Sequence, residues 1–273
     1  MSVTTRRFAV ATLFTGVIAG LVGLACIHLL HWIQALAWDM HSGTLLEAVS
    51  AISPARRVLI LTLGGVLGGA SWFFLFRRSR AITSVSAAVG GAPMPPLRAT
   101  WHALTQVFIV SLGASVGREV APREMAAAFS AAAANRLGLT PEDRRIIVAC
   151  GAGAGLAAVY SIPISGAIYT LEILLMSRSR RAVAAAFCTS AIAVLISTGF
   201  TRPTPFYSVP TLTPSLSLTV FAALVGPLLG ATGWAFKQAV TRVGAARPRD
   251  WRLLATLPTA SFLVGVIAVW VPS

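Results

Sequence analysis

Three of the eight acidic residues in this 273-residue chain lie inside apolar sequence: Glu119, Glu124 and Glu172. A carboxylate surrounded by apolar residues is costly to ionise, so each needs a partner, an ion path or a route to water. Glu119 lies in the segment GREVAPRE (Gly117 to Glu124). Gly117 ends a helix readily and the residues after Glu119 are strong helix formers, so the spacing predicts a helix N-terminus here. Free backbone N–H groups and a partial positive charge would then face whatever occupies the site, which favours an anion. A carboxylate beside such a place can fill it and then move aside, which is the physics of a gate. The alternative is that Glu119 is a structural partner of Arg118 or Arg123. Glu124 is expected to pair with Arg123 or to serve as a first-turn acid. Glu172 closes a second segment, GAGAGLAAVYSIPISGAIYTLE (Gly151 to Glu172), which Pro163 and Gly166 break. It is either an interfacial acid facing the arginines from Arg178 onward or a point on an ion path.

Other chemistries lack their parts. His28 and His31 share a helix face at i, i+3, but neither they nor His41 and His102 have a carboxylate or third ligand at useful spacing, so no metal site is expected. Ser161 and Ser165 flank Pro163 without a neighbouring histidine, so no nucleophile–base pair is visible and an enzyme is not expected. Cys26, Cys150 and Cys188 are scattered and read as small packing residues. The run GAGAGLAA (Gly151 to Ala158) allows helices to approach closely.

The elements that hold these residues belong in a lipid bilayer. The chain is 56% hydrophobic and 11% charged, and apolar runs long enough to span recur along its length. The N-terminal run continues to about Trp38 with no convincing cleavage site, so it reads as a retained first helix. Plain spans are expected at about 8–38, 58–76, 182–199, 216–236 and 253–271. Between Arg80 and Arg178 the pattern turns irregular, with a turn at GGAPMPP (Gly90 to Pro96), a helix start at Thr140-Pro141-Glu142-Asp143 and a break at Ser161-Ile162-Pro163. The net charge of +14 is not one basic face, which argues against nucleic acid. It sits in clusters between spans: Arg6-Arg7, Arg77-Arg78-Arg80, Arg178-Arg180-Arg181 and Arg242 to Arg252. All four fall on one side if the crossings are counted this way, and the positive-inside rule then puts the N-terminus in the cytoplasm, with the plasma membrane as the expected location.

At these residues the chain resembles the CLC family of chloride channels and proton-coupled chloride transporters. GREVAP is similar to the family's G-R-E-G-P signature. GAGAGLAAVYSIPISGAIYTLE is similar to its run of small residues, Ala-Pro-Leu-Ala-Gly, then an aromatic and a Glu. The resemblance implies an all-α integral membrane fold of tilted and broken helices, built from two inverted repeats. It implies a homodimer in which each subunit has its own pore, and chloride as the transported ion with no cofactor. Glu119 matches the family's gating glutamate, and Gly117, Arg118 and Val120 match the anion-binding residues around it.

There are departures from that pattern. Val120 and Ala121 replace the family's Gly and Pro. The family's G-S-G-x-P motif is absent, and RSRAITSVS (Arg78 to Ser86) stands in its region. Ser79, Ser84 or Ser86 could replace its anion-binding serine, and Ser84 is carried forward as the candidate. Ile173 stands where proton-coupled members have a second glutamate, which favours passive conduction over proton exchange. Glu172 could still serve the proton. The expectation is a single membrane domain over 1–273, with about 1–178 as the first repeat and about 179–273 as the opening helices of the second. The rest of the second repeat is missing. Such a chain is a truncated copy, a fragment of a longer gene, or a short protein that completes its pore by association. A non-transporting membrane subunit is the reading from another class.

Overall fold

The computed structural model describes residues 3–40, 43–77, 82–200, 215–246 and 248–270. His41, Arg78, Ser79, Arg80, Arg202 and most of the Pro- and Thr-rich loop after Phe200 lie outside them, as do Val271, Pro272 and Ser273. All regular elements among the described residues are helical: α1 (Val3–Trp38), α2 (Leu45–Ala51), α3 (Pro54–Arg77), α4 (Val85–Val89), α5 (Pro96–Ser111), α6 (Val120–Arg136), α7 (Pro141–Tyr160), α8 (Pro163–Tyr169), α9 (Arg180–Phe200), α10 (Leu216–Ala246) and α11 (Leu253–Trp270). A π turn (Thr170–Leu175) continues α8.

Five of these, α1, α3, α9, α10 and α11, are long and apolar enough to cross a membrane. At about 1.5 Å per residue, α1 is about 54 Å long, well beyond the roughly 30 Å hydrocarbon core, so it spans at a tilt or projects past it. The irregular middle of the sequence becomes shorter helices joined by sharp breaks. The stretch from Asp39 to Pro54, between the first two expected spans, contains α2. A capping box makes it: Thr44 Oγ1 accepts the Glu47 N–H and Glu47 accepts the Thr44 N–H. The expected helix start at Thr140 is present: its hydroxyl accepts the Asp143 N–H at 3.2 Å, and Pro141 opens α7.

The chain divides into two units, Met1–Pro203 with Asp250–Ser273, and Thr204–Arg249. The second contains α10, a 31-residue helix with Pro227 inside it. In the first unit α7 is the central helix, touching α1, α4, α6, α8 and α9. Its Gly-Ala run is what allows this. A Cβ at Gly155 would sit 2.5 Å from the Pro122 carbonyl oxygen on α6, and one at Gly153 would sit 2.6 Å from that of Gly166 on α8. The helices therefore meet backbone to backbone, and no larger residue fits. Ile147, Val148, Cys150 and the alanines of this run are fully buried.

An ion pair and hydrogen bonds to carbonyls tie the start of α7 to its neighbours. Arg181 on α9 donates to Asp143 at 2.9 Å, and its guanidinium lies 4.1 Å from the centre of the Phe8 ring on α1. Arg144 donates to the Ala88 and Ala92 carbonyls at the end of α4 and to the Asn135 side chain at the end of α6. At another edge α11 packs on α3, where Gly65 and Gly69 admit the Leu257 and Leu253 carbonyls.

Candidate functional site

The path to Glu119 starts where α5 stops. Gly113 follows with φ of 89°, beneath the Trp38 ring. A side chain there is excluded twice, by the left-handed backbone and by the ring, 3.0 Å from where a Cβ would sit. The Trp38 indole N–H donates to the Ser111 carbonyl at 2.8 Å, which holds this corner. A short run of turns leads to Glu119, the N-cap of α6, with φ −75° and ψ −30°. The expected helix N-terminus is therefore present. Pro122 sits in its first turn, where an N–H has no intrahelical partner in any case.

The Glu119 carboxylate does not cap its own helix. It folds back over Gly117, whose missing Cβ leaves the room: a Cβ there would collide with the carboxylate. Oε1 accepts a hydrogen bond from the Tyr160 hydroxyl at 2.8 Å. The Arg118 guanidinium lies 5.1 Å from the centre of the Tyr160 ring. Glu119, Arg118 and Val120 are half-buried and Gly117 is exposed.

The break in the second segment supplies Tyr160. It is the last residue of α7, Ser161 turns into the left-handed region at φ 57°, and Pro163 opens α8. The two segments singled out in the sequence thus meet at Tyr160, as they do where Gly155 faces the Pro122 carbonyl. Sequence reasoning did not select Tyr160. Its signal was a polar tip on the residue just before the Ser-Ile-Pro break.

Glu124 departs from expectation. It is buried, and its Oε2 lies 2.6 Å from Nδ1 of His102 and 3.4 Å from Nε2 of Gln106, both on α5. Nδ1–H of His102 and the Gln106 amide can both donate to it. Arg123, the expected partner, instead lies 5.2 Å from the centre of the Tyr169 ring, with its Nε buried and without a hydrogen bond. The reason is direction: residues i and i+1 on a helix do not face each other. His102 and Gln106, spaced i, i+4 in an apolar helix, were the readable sign of this buried partner.

The remaining candidates take no part in the hydrogen bond between Glu119 and Tyr160. Ser84 is exposed and is the N-cap of α4, where its Oγ accepts the Ala87 N–H at 3.2 Å. Glu172 and Ile173 are exposed in the π turn, and among the described residues Glu172 forms no ion pair with the arginines that follow. His28 and His31 are exposed on α1.

The chemistry available is that of a small anion meeting a helix N-terminus and a guanidinium, beside a carboxylate that is bonded to Tyr160. Comparison with known proteins agrees in kind. The family model described as voltage gated chloride channel matches residues 64–273. The chain is 30% identical over 269 residues to a voltage-gated ClC-type chloride channel, ClcB, of Yersinia pseudotuberculosis, covering 93% of this chain and 63% of that protein. It is 28% identical over 288 residues to ClcB of Escherichia coli O81, covering 98% of this chain and 66% of that one. The fold matches the crystal structure of a slow cyanobacterial Cl−/H+ antiporter with a TM-score of 0.78 at 18% identity, over 96% of this chain and 64% of the other. The chain thus spans about two thirds or slightly less of the length of these relatives.

Proposed function

Since the chain belongs to the voltage-gated chloride channel family, we propose that it conducts chloride or similar inorganic anions across a membrane, passively, with Glu119 as the gate. The observation that carries this reading is the placement of Glu119. Its carboxylate stands at the N-terminus of α6 without capping it and is bonded to Tyr160 instead. It therefore has two resting places, one of which competes with an anion. Gly117, Arg118 and Val120 would line the anion's path, and Ser84 is the candidate for a second contact. Passive conduction rests on Ile173, which has no proton to give where proton-coupled relatives have a second glutamate. A homodimer in the plasma membrane, with its N-terminus in the cytoplasm, completes the reading.

A proton–chloride antiporter is the second reading, and one observation favours it. His102 and Glu124 are an ionisable pair buried between α5 and α6, and Glu124 follows Glu119 within the same helix segment. A pair so placed could hold a proton that Ile173 cannot. Glu172 is exposed and reads as interfacial.

The experiment is chloride efflux from liposomes reconstituted with this chain, beside Glu119→Ala and Glu119→Gln. Efflux that changes with either substitution and loses its response to pH supports the gate. Unchanged efflux and unchanged pH response would remove Glu119 from that role. No efflux from folded protein of either kind would favour a non-transporting membrane subunit.

A further inference from the structure

We propose that Tyr160 is the positioning residue for the gate: its phenol holds the Glu119 carboxylate clear of the N-terminus of α6, and without it the carboxylate swings onto that terminus. The inference rests on the reading of Glu119 as a gate and adds the element that sets its resting position.

Three features support it. The Tyr160 hydroxyl donates to Glu119 Oε1 at 2.8 Å, while Glu119 makes no cap bond to α6. The donor is the fixed partner. Tyr160 ends α7, Ser161 follows in the left-handed region at φ 57°, and the Ile162 N–H closes on the Ala157 carbonyl at 3.1 Å. The Arg118 guanidinium lies over its ring. The acceptor has room to turn, since Glu119 belongs to a turn and lies over Gly117, which has no side chain to confine it.

The competing position is equally concrete. The α6 terminus carries a partial positive charge, and the Val120 and Ala121 N–H groups find no partner within the helix. A carboxylate there would sit where an anion is most favoured, and a carboxylate on Tyr160 leaves that place to the anion. A hydrogen bond to a charged group shifts a two-position equilibrium by about tenfold or more. Tyr160 therefore biases the gate toward its open position.

Tyr160→Phe keeps the ring and removes one oxygen, which faces both Glu119 and Arg118, so the Glu119→Ala background is needed to separate the two contacts. Chloride efflux is compared for wild type, Tyr160→Phe, Glu119→Ala and the double variant. The expected result is an efflux about tenfold lower in Tyr160→Phe, and a double variant that conducts like Glu119→Ala alone. Efflux equal to wild type in Tyr160→Phe would overturn the proposal. So would an equal loss in both backgrounds, which would make Tyr160 a packing residue. A second readout does not need flux. The infrared carboxylate band that disappears in Glu119→Gln marks Glu119, and it shifts in Tyr160→Phe if the phenol donates to it. A band that stays in place overturns the positioning role. A shifting band with no efflux from wild type or Glu119→Ala would overturn the gate reading and leave the positioning of Glu119 intact.

Discussion

Glu119 is confined by its neighbours more than by its own helix. Gly117 leaves it room, Tyr160 takes one of its oxygens, and it makes no cap bond to α6. Glu124, further along α6, is held in a different way. It is buried against His102 and Gln106. Glu124→Ala removes the carboxylate that faces His102 and Gln106, leaving those two side chains only their 2.8 Å contact with each other, and is expected to destabilise the fold by about 1–3 kcal/mol. Glu124→Gln keeps the shape and should cost less. Thermal unfolding in detergent, followed by tryptophan fluorescence, checks the order of the two. Glu172 is exposed and without an ion pair among the described residues, so Glu172→Gln is expected to change chloride efflux far less than Glu119→Gln. A loss of chloride selectivity in that variant would overturn its reading as interfacial.

At the scale of elements, the site depends on how closely α6, α7 and α8 approach. Tyr160 reaches Glu119 because the glycines of α7 let the Pro122 carbonyl on α6 and the Gly166 carbonyl on α8 come within reach of its backbone. Gly155→Ala puts a methyl 2.5 Å from that Pro122 oxygen, so the helices must separate, at a cost of about 1–3 kcal/mol. Gly199→Ala is the contrast. Among the described residues nothing lies within 4 Å of the place its Cβ would take, and alanine favours a helix over glycine by about 1 kcal/mol. The same substitution should therefore destabilise at one position and be neutral or stabilising at the other, as melting temperatures in detergent would show. Equal effects at both would mean that close approach does not limit this packing.

At the scale of the whole molecule, the chain spans 63% of the length of its Yersinia relative and 64% of the antiporter whose fold it shares. Whether it moves protons is therefore a question for measurement on this chain. Passive conduction predicts no proton movement when a chloride gradient is imposed on sealed liposomes. Proton uptake that stops in a Glu124→Gln variant would favour the antiporter reading and assign the proton to the His102 pair. Crosslinking in native membrane checks the homodimer, with a single band at twice the chain mass as the expected result.

Membrane class, helix starts and the two segments that matter were legible in the sequence, because each rests on local chemistry. A run of apolar residues, a Thr-Pro-Glu-Asp start or a Ser-Ile-Pro break means the same thing whatever surrounds it. The helix N-terminus at Glu119 was legible for that reason, as was the close approach permitted by Gly151 to Ala158. The partners were not. Glu124 turned to His102 across 22 residues of chain and Glu119 to Tyr160 across 41, and polar residues at 102, 106 and 160 mark only that each needs a partner, not which carboxylate supplies it. A side chain bonds to whatever the packing brings within about 3 Å. That is decided by which helices touch and at what rotation, so only the tertiary structure could show which tyrosine holds the carboxylate.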